Sequence, residues 1–130
     1  MSLIYEIDRN KNELHVIAEG TIRLSDIQVH LQQEREDLVL PWKELIDGRS
    51  AALDLSAGEV RWVVQWLRDL SRSGRLGPTA VVVSNDVSYG IMRMLQVLVE
   101  DVCTIYPFRD LAEAERWLQA QARAPGLGNS

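Results

Sequence analysis

Thr79-Ala80-Val81-Val82-Val83 is an unbroken run of small and β-branched residues, and it constrains the fold more than any other stretch. A run with no polar residue at alternate positions has the composition of a strand buried on both faces. Ser84-Asn85-Asp86 breaks it with residues that favour turns and helix caps. From Val87 onward apolar residues return at helical spacing, at Val87, Ile91, Met94, Leu95 and Leu98. Strand, short turn and helix make one unit of an α/β fold. The turn falls at the strand's carboxyl end, where open α/β sheets place ligands. Ser84, Asn85, Asp86, Ser88 and Tyr89 are therefore candidate ligand-facing residues.

The rest of the chain supplies neighbours for that unit. Leu3 to Ile7 and Leu14 to Ala18 are strand-like, and the polar turn Asp8 to Glu13 between them predicts an antiparallel hairpin with its first strand near a sheet edge. His15 alternates with Leu14 and Val16 and so lies on the more exposed face, with no second histidine or cysteine at metal spacing. Ser25-Asp26-Ile27-Gln28 fits a capping box and predicts a helix to about Asp37, with Ile27, Leu31 and Leu38 inward and His30 on the flank as a structural residue. Pro41 to Leu45 reads as a short helix, Asp47-Gly48 as a stop or turn, and Ala51 to Leu55 as a central strand. Asp54 within that strand would need a partner. A second long helix begins at Ser56-Ala57-Gly58-Glu59, and its start is another candidate anion or ligand loop: Ser56, Ala57 and Gly58. Val102 to Tyr106 is the last strand, and Asp110 caps a final amphipathic helix. The reading is one α/β domain over residues 1–123 and a disordered tail over 124–130.

Two helices carry more apolar surface than one sheet face requires. In the second, Trp62 and Trp66 extend the stripe, as rim-sealing residues or as a partner surface, opposite a basic stripe of Arg61, Arg68 and Arg72. In the third, the apolar arc extends to Met92, and Val97 lies beyond a narrow polar side, which suits burial within the chain, a homodimer contact or a cofactor or lipid pocket.

Composition excludes several classes. A net charge of −5 argues against a general nucleic-acid binder. The single cysteine, Cys103, excludes an internal disulfide and suits a reducing compartment. No apolar run nears the roughly 18 residues of a membrane span, and the N-terminus lacks a signal-peptide pattern; cytoplasmic is the expectation.

The strand Ala80 to Ser84, the segment Asp86-Val87-Ser88-Tyr89-Gly90-Ile91-Met92-Arg93-Met94 and the closing Phe108-Arg109-Asp110-Leu111-Ala112-Glu113-Ala114-Glu115-Arg116-Trp117-Leu118 resemble the SpoIIAA-like proteins of the STAS/CRAL-TRIO-like grouping. The resemblance implies a four- to five-stranded mixed sheet with about four helices packed on it, often in a small bacterial protein without assigned chemistry. STAS antagonists carry a phosphorylatable serine within an Asp-Ser-Ser-Gly-type sequence. Here that region reads Asp54-Leu55-Ser56-Ala57-Gly58, so the phosphosite is not carried over and Ser56 reads as a helix cap.

No nucleophilic triad, zinc spacing or phosphate-binding glycine loop is present in the sequence. Asp54, Ser84 and Pro107 sketch a phosphoacceptor, but the acidic pair for Mg²⁺ is missing and Tyr106 stands where such receivers carry lysine. The expectation is a non-catalytic binding or regulatory module without a cofactor, a homodimer acting on a protein partner or a small anion. The alternative is a carrier of lipid or another hydrophobic ligand.

Overall fold

The computed structural model describes residues 2–121; the tail read as disordered lies outside them. β1 (Ser2–Asp8) and β2 (Glu13–Ile22) form the expected antiparallel hairpin. Asp8 Oδ1 closes its turn by accepting from the Asn10 and Lys11 N–H groups, each at 3.1 Å. β3 (Lys43–Leu53), β4 (Thr79–Val83) and β5 (Ile105–Phe108) follow in parallel. The strand order is β1-β2-β3-β4-β5, with four helices between and after the strands: α1 (Leu24–Glu36), α2 (Ala57–Ser71), α3 (Asp86–Leu98) and α4 (Leu111–Gln119).

The helix starts follow cap chemistry. Ser56 Oγ accepts from the Glu59 N–H at 3.1 Å while Glu59 Oε1 accepts from the Ser56 N–H at 2.9 Å, a complete capping box. Asn85 and Asp110 cap α3 and α4 in the same sense. α1 begins earlier than its sequence suggests. β2 runs to Ile22, Arg23 is the cap residue, and Asp26 rather than Gln28 reaches back, to the Arg23 N–H at 2.8 Å. Ser25 therefore lies inside the first turn.

At the other end of α1, Leu38 adopts a left-handed φ of 60°. The Val39 N–H bonds back to the Glu34 carbonyl and the Leu38 N–H to that of Arg35. This reversal turns Leu38 outward and buries Val39 instead, correcting the inward placement of Leu38.

Residues 43–53 form one eleven-residue strand, not a short helix, a turn and a strand. The Asp47-Gly48 pair sits mid-strand because β4 approaches so closely there. A Cβ on Gly48 would lie 2.8 Å from the Val82 carbonyl oxygen. The β2–β3 register shifts by one residue beside it, an irregularity that polar Asp47, Arg49 and Ser50 accommodate. Asp54 falls just past the strand and is exposed, so it needs no buried partner. The last strand likewise starts later than expected, at Ile105, and takes in Pro107; as an edge strand it tolerates the missing donor.

α1, α2 and α3 cover one face of the sheet. There Val81, Val83 and Ile105 pack against Val60, Val63 and Leu67 of α2, Met92 and Leu95 of α3, and Val99 just past its end. α4 covers the other face over Ala80 and Val82 through Ala114 and Leu118. At nine residues it is too short to hold as a free helix, so this docking, with Trp117 against Tyr106 and Phe108, maintains it.

Candidate functional site

The inward face of α1 is formed by Ile27, His30, Leu31 and Glu34, which repeat at helical spacing, so a histidine and a carboxylate lie on its apolar stripe. Glu44 joins them from β3, on the same sheet face as Ile46 and beside Thr79 of β4. His30 Nε2 stands 2.7 Å from Glu44 Oε2 and 3.1 Å from Glu34 Oε2. The three side chains keep only 8%, 4% and 10% of their surface, for His30, Glu34 and Glu44. Tyr5 of β1 sets its ring edge against the imidazole, 5.4 Å between centroids, and donates its hydroxyl proton to Asp37.

Charge in this cluster is set by competition between burial and pairing. Burial would lower the His30 pKa, but close pairing with the Glu34 and Glu44 carboxylates outweighs it and holds it at about 10. Burial raises Glu34, and the charge of Glu44 adds to that, to about 9. Glu44 is also penalised by burial, yet the bond from His30 holds it below the ordinary carboxylate range. Geometry agrees with this division, because the short bond to His30 belongs to Glu44. At neutral pH the cluster is thus a charged His30–Glu44 pair beside a protonated Glu34, with no net charge. Tyr5 is pushed up to about 12 by burial and by Asp37.

His30 and Glu44 of the cluster border a cavity of about 150 Å³ between the sheet and the three helices. Ile27, Ile46, Val63, Val81, Met92 and Leu95 supply apolar walls, while His30, Glu44 and Ser88 supply polar groups. Its volume matches that of an engineered apolar cavity in another protein that stays dry and admits benzene.

The residues singled out at the strand ends have other tasks. β3 runs five residues beyond its last pairing with β4, at Gly48–Val83. Ser84 Oγ donates to the Arg49 carbonyl at 2.9 Å and Asn85 Nδ2 to that of Ala51 at 3.4 Å; Ser88 Oγ accepts from the Leu53 N–H at 3.0 Å. Three side chains thus replace a strand edge. Ser88 is buried and borders the cavity rather than facing solvent. Asp86 pairs with Arg109 at 2.7 Å, and Arg109 lies over the Tyr89 ring at 4.5 Å. Ser56, Ala57 and Gly58 are exposed, with Ser56 engaged as the cap of α2.

Of the supposed association surface, Met92 is corrected outright: it is buried and lines the cavity. Trp66 is half-buried in a groove between α1 and α2, where it seals the core rim. Trp62 and Val97 are exposed. Val87, Met94 and Leu98, expected inward, are also exposed. The inward arc of α3 is instead Ser88, Met92 and Leu95, continued by the cap residue Val99, and it is rotated because Ser88 must reach β3. The basic stripe is partly neutralised, Arg68 by Asp101 at 2.8 Å and Arg72 by Asp69 at 3.4 Å.

Sequence reasoning missed the His30, Glu34 and Glu44 cluster. The available signal was the spacing of Ile27, His30, Leu31 and Glu34, which puts both polar residues on the buried stripe.

The architecture is a SpoIIAA-like fold. A crystal structure described as an uncharacterized protein of the DUF3478 family with a SpoIIAA-like fold, from Shewanella loihica PV-4, aligns over 90% of this chain and 93% of its own, with a TM-score of 0.58 and 17% identity. No family model and no curated protein matches the chain. Among the described residues no helix is long and apolar enough to cross a membrane.

Proposed function

We propose that the protein is a non-catalytic binding module whose ligand is a compact apolar molecule. The cavity carries this reading. Interiors are ordinarily close-packed, and a void of about 150 Å³ forfeits contacts that a filled core would have. Its walls are almost wholly apolar and suit a hydrocarbon or aromatic body, while the His30 and Glu44 polar atoms at its border are already paired with each other. The size favours a small aromatic over an acyl chain with its headgroup, which narrows the carrier alternative. Binding is favoured over catalysis because the two partners of His30 are carboxylates, not a serine or cysteine. Cys103 is held up at about 11 by burial, which disfavours the reactive thiolate.

Methyl NMR with toluene and phenol tests the reading. Both ligands should move the Val63, Val81 and Leu95 methyls, toluene at lower concentration, because a buried hydroxyl finds little polar surface there. Val63→Phe should fill the space, abolish the shifts and keep the fold. Unmoved methyls with both ligands would overturn the proposal.

A second reading, self-association, rests on α3. Val87, Met94, Val97 and Leu98 form a continuous exposed apolar stripe, Val87 69% and Val97 56% exposed. Light scattering should then give a dimer that Val97→Glu splits into folded monomers. A monomeric wild type would remove this reading.

A further inference from the structure

We infer that His30, Glu34 and Glu44 form a binding site for a divalent transition-metal ion of the Zn²⁺ type, beside the cavity. Each residue offers one ligand atom, and these atoms lie within 4.8 Å of one another. Two come from one turn of α1 and the third from the middle of the sheet, so rigid elements fix all three. The independent observation is Glu34. Its side chain is 96% out of solvent, and Oε2, which points at His30 Nε2 3.1 Å away, has no hydrogen-bond partner among the described residues. A buried oxygen is not left so without cost, and a cation at the point where the three atoms converge would satisfy it.

The donor set selects the ion. One imidazole and two carboxylates suit Zn²⁺ and its first-row neighbours, whereas Ca²⁺ and Mg²⁺ prefer all-oxygen sites with more ligands. Bond lengths of about 2.0–2.2 Å place tetrahedral donors roughly 3.3 Å apart. The 3.1 Å separation already fits, and the 2.7 Å pair would open by roughly half an ångström. Two carboxylates balance a dication, so the interior gains no net charge. Three protein ligands leave a fourth position for a water or a ligand donor. Tyr5, edge-on against the imidazole, holds the ring plane.

This inference stands without an occupant in the cavity, so its test uses metal alone. The full chain, stripped with a chelator, is titrated with Zn²⁺ by calorimetry and with Co²⁺ by visible absorption. One ion per chain is expected, with the strong absorption of low-coordinate Co²⁺. Glu34→Gln, similar in shape and neutral, should keep the circular dichroism spectrum and weaken both metals by at least about tenfold. Glu19→Gln, an exposed control, should change neither. Absent or non-saturable binding, a weak six-coordinate Co²⁺ spectrum, or less than about a tenfold loss in Glu34→Gln would overturn the assignment.

Discussion

Replacing Glu34 with glutamine in the metal-free protein should stabilise it, by an amount that grows with pH. In the unfolded chain Glu34 ionises around its ordinary 4.5; folded, it stays protonated up to about 9. A group whose folded pKa is raised contributes most below the unfolded value, and that contribution is lost as pH rises toward the folded one. At pH 7 folding must return a proton about 2.5 units above the unfolded pKa, which at about 1.4 kcal/mol per unit costs about 3 kcal/mol. Glutamine avoids this cost and fills the same space. The stability difference should be near zero around pH 4.5, reach about 3 kcal/mol at pH 7, and level off above about pH 9. Other titrating groups, present in both proteins, largely cancel in the difference. Urea unfolding in chelator at several pH values measures it, with unchanged m-values confirming the same exposed surface. A difference that is flat with pH, or a less stable variant at pH 8, would refute the protonated Glu34. Against a typical total of about 5–15 kcal/mol, such a cost is large. Sites kept for binding rather than stability tolerate costs of this kind.

Wild-type stability itself should fall under alkaline conditions, because the His30 contribution is complete below its ordinary 6.5 and disappears as pH rises through about 10; thermal melts across that range check it. Ser88→Ala should cost about 1–3 kcal/mol by stranding the Leu53 N–H, and hydrogen exchange at Leu53 should accelerate selectively. Gly48→Ala should destabilise by about 1–3 kcal/mol, since its methyl would meet the Val82 backbone oxygen rather than a side chain able to move aside. A neutral or stabilising result in denaturant melts would disprove that close approach.

The element order and most caps were legible in the sequence because they depend on neighbours in the chain. Ser56 and Asp110 cap the helices their spacing predicts, and the valine run is the interior strand β4. β3 was not legible. Its Asp47-Gly48-Arg49-Ser50 segment carries turn residues, and only pairing with β2 and close contact with β4 make them a strand. The rotation of α3 was hidden for a similar reason. Apolar periodicity puts Val87 and Leu98 inside, but the Ser88–Leu53 bond, between residues distant in sequence, turns the helix. The cluster was missed because periodicity counts apolar residues, while the burial of His30 is compensated by Glu44, a residue expected in a different element.

The clasp of Ser84, Asn85 and Ser88 over the overhanging end of β3 bears on solubility. Open strand edges invite pairing with other chains. Here the backbone groups of Arg49, Ala51 and Leu53 that another strand would use are already bonded to side chains of the same molecule. Substitutions in this turn would therefore weaken the fold and also free a stretch of sheet edge, so they would register as aggregation before they registered as lost binding.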